Sequence, residues 1–231
     1  MTEKQRYREA FTDCLRFLTF RADDKLWDRL GLPHFLIGFA VTWLVGIGRN
    51  WDFPEAPLFA KTGLPSVAYI FVLSFILFCT SWLASYERLN YWKILTLVAM
   101  TSGPGLVYAI PVEMMFPLPV AQNINMWFLL IVAIWRVALA YYIFIRAAGN
   151  DGGTATAILM TPLCGIIIGL VLTGRAGYVI EIMGGNNRPQ NVNTGVDEII
   201  SGLFILAWPL LIIGLIVLVT SAIRSARDQR A

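Results

Sequence analysis

Asn123–Arg146 reads NINMWFLLIVAIWRVALAYYIFIR, with one charged side chain, Arg136, ahead of the closing Arg146. A bilayer hydrocarbon core takes about 20 mainly apolar residues of α-helix, so this stretch predicts a membrane-crossing helix. Five more apolar runs flank it: Pro33–Gly48, Ser66–Ser85, Tyr91–Val112, Thr154–Gly174 and Glu198–Ile223. Pro33–Gly48 is short and Gly-rich. The expected fold is therefore all-α, a polytopic transmembrane bundle of six spans over residues 33–223. A cytoplasmic segment (1–32) precedes it and a short basic tail (224–231) follows.

Composition agrees. Of 231 residues, 57% are apolar and 14% are charged, whereas a soluble domain carries about 25% charged residues. The mean hydropathy is +0.65. A net charge of +3 leaves no nucleic-acid footprint, and there is no Gly-rich phosphate loop. Cys14, Cys79 and Cys164 are far apart and His34 is the single histidine. That argues against a disulfide framework, a zinc site or a Ser-His-Asp triad, and no cofactor is expected. The charged N-terminal stretch has no apolar core leading to a small-residue cleavage site, so it does not read as a signal peptide.

Basic residues set the orientation. With a cytoplasmic N-terminus, that side carries Lys4, Arg6, Arg8, Arg16, Arg21, Lys25 and Arg29, then Arg88, Lys93 and Arg146, then Arg224, Arg227 and Arg230. The other side carries Arg49, Lys61, Arg175 and Arg188. The positive-inside rule places both termini in the cytoplasm, and a small chain with short termini fits a bacterial inner membrane. Dropping the short first crossing would move the bare loop Glu113–Gln122 to the cytoplasm and the basic tail outside, so six crossings fit better than five.

Ahead of the first run, Tyr7, Phe11, Cys14, Leu15 and Leu18 recur at helical spacing, with Arg6, Arg8, Glu9, Asp13 and Arg16 on other faces. This predicts an amphipathic helix, either lying on the cytoplasmic membrane surface or packed under the bundle. Asp23, Asp24, Lys25, Asp28 and Arg29 form a mixed-charge elbow expected to be solvated, with Trp27 and Leu30 at the interface. On the external side, Trp51 and Phe53 suit the headgroup layer. The polar, Gly/Asn-rich Gly184–Gly195 reads as a flexible loop.

Arg136 is the costly residue. It lies ten residues before Arg146, roughly 15 Å from the cytoplasmic end of its helix, and an intramembrane Arg costs at least about 2.5–3.5 kcal/mol on insertion scales. At the same expected depth the third run reads Thr101-Ser102-Gly103-Pro104-Gly105. Pro104 lacks an N–H and should free a carbonyl one turn earlier. Arg136, Thr101, Ser102 and Pro104 are thus a candidate intramembrane polar cluster. It serves as a packing lock, as part of a solute pathway or as a partner site. Glu113, Arg49 and Asp52 are candidate external polar residues. Pro162 and Pro209 predict bends in the fifth and sixth spans, Cys164 reads as a small packing residue, and Tyr141 and Tyr142 read as interfacial aromatics.

Two segments, Ser81–Glu113 (SWLASYERLNYWKILTLVAMTSGPGLVYAIPVE) and Trp127–Gly149 (WFLLIVAIWRVALAYYIFIRAAG), resemble the Yip1-domain family of small multi-span membrane proteins. The likeness covers about residues 66–175: a span, a short loop, a span broken by small residues and Pro, and a span with a Trp-rich centre. It implies a compact bacterial-type member with no catalytic residue. The chain departs from the family in having six expected spans where five are typical. It also lacks the long cytosolic N-terminal region of eukaryotic members, so small-GTPase binding and vesicle trafficking are not carried over.

These readings converge on a non-enzymatic membrane scaffold or partner-binding protein. It would contact the lipid bilayer, other membrane proteins or a second copy of itself, but no nucleic acid. The alternative is a small-solute transporter or channel subunit that uses its kinked helices and Arg136. An intramembrane enzyme needs a nucleophile, an acid/base pair or metal ligands within mutual reach, and the span interiors offer no such set.

Overall fold

Length sorts the helices into two kinds. The computed structural model describes residues 2–49, 51, 58–85, 89–175 and 194–228, and among these every regular element is helical. Four helices are long and apolar enough to cross a membrane: α5 (Leu64–Ser85), α8 (Leu118–Arg146), α9 (Gly152–Leu172) and α10 (Thr194–Asp228). Their apolar windows bury only 17% to 39% of their residues inside the protein. The remainder is exposed apolar surface of a kind soluble monomers do not carry. Two apolar helices are shorter, α3 (Leu32–Gly48) and α6 (Tyr91–Met100). The short α1 (Glu3–Leu18), α2 (Leu26–Arg29), α4 (Leu58–Lys61) and α7 (Val112–Met115) complete the described helices.

Local chemistry fixes several ends. The Asp151 carboxylate caps α9, accepting from the Gly153 and Thr154 amides at 2.9 and 3.1 Å and from the Thr154 hydroxyl at 2.6 Å. Asn90 Oδ1 caps α6 by accepting from the Lys93 amide at 2.9 Å. Both satisfy amides that have no partner within the helix.

The third apolar run differs from the single kinked helix expected over Tyr91–Val112. Its α-helix stops at Met100, and Gly103–Ala109 continues as a 3-10 helix. The reason lies just ahead of Pro104. The Thr101 amide is shared between the Leu97 and Val98 carbonyls at 3.2 and 3.1 Å, and the Ser102 amide bonds Ala99. The tighter i to i−3 pattern therefore takes over before the residue that has no N–H. Pro162 and Pro209, by contrast, lie inside continuous helices.

The two short helices run side by side in the same direction. A Cβ at Gly38 would meet the Ala99 carbonyl carbon and Met100 nitrogen at 2.8 Å, which is backbone against side-chain space. Further along, the Thr42 hydroxyl bonds the Ser102 hydroxyl at 2.8 Å, and Val45 fills the space beside Gly105. α3 thus tracks both α6 and the 3-10 segment through small residues, as membrane helix pairs do. The antiparallel α5 packs on the same pair: the Trp43 indole donates to the carbonyl of Thr62, just ahead of α5, at 2.6 Å, and Phe78 meets Tyr91 edge-on at 6.0 Å. Tyr91 opens α6, yet Phe78 lies seven residues short of the end of α5. α6 therefore begins about 10 Å below that end at the helical rise. The short pair leaves a recess at the end of the bundle where the charge pattern predicts the cytoplasm.

Replacing Gly38 by Leu has no room to relax, because the obstacle is backbone. Overpacking of about 1–3 kcal/mol or more is expected, read as a lower melting temperature and a smaller monodisperse fraction in detergent. An unchanged melting temperature would contradict the close α3–α6 approach.

Candidate functional site

The recess is filled by α1, whose inward side includes only Cys14 and Leu18 of the predicted apolar stripe. Ala10, Asp13, Cys14 and Phe17 are buried, at 1%, 6%, 6% and 0% exposure, while Tyr7, Phe11 and Leu15 remain exposed. Of the two placements left open by periodicity, α1 takes the packed one: its C-terminal half joins the main core with residues of α5, α6, α8 and α9. Leu18 occupies the space beside Gly103, where any Cβ would collide with it.

α1 ends in a Schellman-type turn. The Arg21 amide bonds the Arg16 carbonyl at 2.8 Å and the Phe20 amide bonds Phe17 at 3.0 Å. Phe20 holds the left-handed position at φ 59°, which glycine usually occupies. The ring of Phe20 meets Tyr142 edge-on at 5.7 Å, so packing holds a backbone state that a bulky residue rarely adopts. The chain then climbs along α8. The Trp135 indole donates to the Leu18 carbonyl at 3.0 Å, the Tyr142 hydroxyl to the Ala22 carbonyl at 3.2 Å, and Arg146 pairs with Asp24 at 2.7 Å. The elbow is thus anchored while Asp24, Lys25, Asp28 and Arg29 stay exposed as expected, but Trp27 is buried against Phe17 and Tyr142 instead of facing the interface.

Asp13 is the chemical centre of this arrangement. Its Oδ1 accepts from Arg29 Nη2 at 3.1 Å and its Oδ2 faces His34 Nε2 at 3.4 Å. Arg29 also reaches Asp23 at 3.2 Å. Asp13 and His34 are both 6% exposed. When His34 Nε2 donates to Asp13, Nδ1 is the acceptor nitrogen of the ring. That Nδ1 is buried with no hydrogen-bond partner. Beside the cluster lies a cavity of about 390 Å³, walled by Arg6, Tyr7, Glu9, Asp13, Arg29 and His34 among others. Cys14, one residue on, is no nucleophile: burial, and secondarily the neighbouring Asp13 charge, pushes its thiol up to about 12.

The sequence-predicted intramembrane cluster is distributed differently. The Arg136 guanidinium lies over the Tyr69 ring of α5, 5.6 Å from its centroid, with Tyr108 and Arg49 also within its electrostatic surroundings. Thr101 and Ser102 turn elsewhere: the Thr101 hydroxyl donates to the Val98 carbonyl at 2.7 Å, and Ser102 accepts from Thr42. Pro104 is buried in the 3-10 segment. Arg49 caps α3 and stacks on Tyr108 at 4.7 Å, so two cations and two phenols lie near one another. Trp51 donates to the Ala109 carbonyl at 3.1 Å. Glu113 falls in α7, while Asp52, with Phe53, Glu55 and the loop 184–193, lies outside the described residues. Among the described residues no group of three His, Cys, Asp or Glu side chains could hold a metal ion.

The chain matches no family model, no curated protein and no solved structure.

Two aspartates on the same unit should respond differently to truncation. Asp13→Ala strips the acceptor from Arg29 and from a buried imidazole, at an expected cost of about 1–3 kcal/mol. Asp24→Ala removes a pair that is 81% exposed on the aspartate side, a class worth about 0–1 kcal/mol. Thermal unfolding of the two variants side by side checks this. Equal losses would mean that Asp13 is not the buried anchor.

Proposed function

We propose that this chain is an integral protein of a bacterial inner membrane. It crosses six times with both termini in the cytoplasm and works without catalysis as a scaffold or partner-binding protein of Yip1-like type. Four long apolar helices and the distribution of Lys and Arg support the membrane reading. α3, together with α6 and its 3-10 continuation, supplies the two shorter crossings.

One observation favours a scaffold over a passage. The Gly-Pro break in the third run is plugged: Leu18 stands against Gly103 and Val45 against Gly105. Kinked helices that carry solutes leave unwound backbone lining a cavity, and here side chains fill the break. The exposed face of α1, with Tyr7, Phe11 and Leu15 beside Arg8 and Arg16, is the surface offered to partners. A photo-crosslinking residue in place of Phe11 is expected to trap discrete protein adducts in intact membranes. Lipid adducts alone would count against the scaffold role.

The transporter reading rests on Arg136 and the phenols around it. As a lock, Arg136 must return more than the about 2.5–3.5 kcal/mol that its insertion costs. A cation–π contact supplies about 2 kcal/mol when desolvated, and packing must supply the rest. Arg136→Gln is therefore expected to lower both the membrane-inserted yield and the melting temperature in detergent. Unchanged or raised stability would defeat the lock, and loss of solute uptake at normal expression would move the chain to the transporter class.

A further inference from the structure

The cavity between α1 and α3 has a composition that no packing argument requires. Its wall mixes signs: Arg6 and Glu9 are exposed at the mouth, while Asp13 and His34 form the buried floor. Acceptors dominate. Glu3, Glu9 and Asp13 face the space together with an imidazole whose Nδ1 has no partner, and of the two arginines Arg29 is already engaged by Asp13 and Asp23. A ligand that suits this wall brings N–H donors for the carboxylate side and an anion for Arg6. A primary ammonium offers three donors and a quaternary one offers none.

The position narrows the source. His34 lies in the first turn of α3, and the ring of the next residue, Phe35, packs at a tilt against Trp92 of the first turn of α6, 4.8 Å between centroids. Trp92 is 43% exposed. Tryptophan concentrates at the headgroup level of bilayers, which places the cavity at that depth. Leu32, on the cavity wall, and Leu36, one turn along α3, are 55% and 39% exposed. They continue the rim as an apolar track along which an acyl chain can lie. At about 390 Å³ the space is within the usual range for small-ligand sites, about 300–1,000 Å³.

We infer that this cavity is a binding site for the headgroup of an aminophospholipid, its phosphate on Arg6 and its primary ammonium among Glu9, Asp13 and His34. The assignment requires the chain to sit in a bilayer but is independent of the scaffold role. Failure to insert would show separately, as absence from the membrane fraction.

Delipidated full-length protein in detergent, titrated with short-chain phosphatidylethanolamine, phosphatidylcholine and phosphatidylglycerol and read by native mass spectrometry, tests it. Phosphatidylethanolamine is expected to bind at least about tenfold more tightly than either other lipid, the scale of one charge-assisted bond. The double variant Arg6→Gln/Glu9→Gln alters exposed residues only. It should lose that preference while keeping the lipid-free melting temperature. Equal affinity for the three lipids, an unaltered preference in the double variant, or glycerophosphoethanolamine binding as tightly as the lipid would each overturn the assignment.

Discussion

Unequal helix length is the constraint on which the rest of the molecule depends. α3 has 17 residues and α6 has 10, against 29 in α8. Packed through Gly38 and Thr42, the short pair cannot reach the level of its longer neighbours. The space above it has to be filled by protein, because an empty recess would leave the first turns of both short helices unpacked. α1 and the elbow after it fill that space. The small residues that bring α3 and α6 together and the aromatic residues that plug the recess are thus two halves of one solution.

Filling the recess with a helix that carries Asp13 creates a second problem. A carboxylate at 6% exposure loses most of its hydration and must be compensated locally. Arg29 and His34 do so from the elbow and from the first turn of α3. The ion pair therefore ties three consecutive elements together, and the register of α1 against α3 follows from it. Compensation is incomplete on the histidine side, where Nδ1 stays unpaired. A half-satisfied buried network of this kind costs stability, and here it borders a cavity.

Much of the fold was legible in the sequence because lipid solvation leaves a coarse signal. Five apolar runs coincide with α3, α5, α8, α9 and α10 to within about a turn or two, whereas the third coincides with α6 only at its start, and Pro104 marks the place where that run changes helix type. The face of α1 was legible only in part, at Cys14 and Leu18. Tyr7, Phe11 and Leu15 would face inward in a water-soluble domain, but in a membrane protein they can stay exposed and be covered by a partner. The smaller set Ala10, Cys14 and Phe17, also at helical spacing, can then point to the core. Asp13 travels with that set, which is why a residue read as part of a polar face lies at the centre of the candidate site. The one available signal was the lone His34, placed just after Gly31-Leu32-Pro33 and therefore in a first helical turn. Its partner lies 21 residues away, and no local pattern reveals such a pairing.

Arg136 shows the same limit from another side. Counting residues from Arg146 gave Arg136 the same expected depth as Thr101 and Ser102, yet the structure does not bring them together. Depth alone does not fix azimuth. α8 turns Arg136 toward α5, where Tyr69 offers a ring face, while α6 turns the Thr101–Ser102 pair toward its own backbone and α3. The freed polar capacity at the break is consumed locally, by Thr42 and by the 3-10 hydrogen bonds. A guanidinium is wide, flat and weakly hydrated, so an aromatic face is a workable neighbour for it in a low-dielectric setting. The two polar features of the membrane interior are therefore solved separately, each by the nearest group with the right geometry. The break is closed by side chains from α1 and α3, and the same insertion of α1 that closes it builds the acidic cavity between α1 and α3.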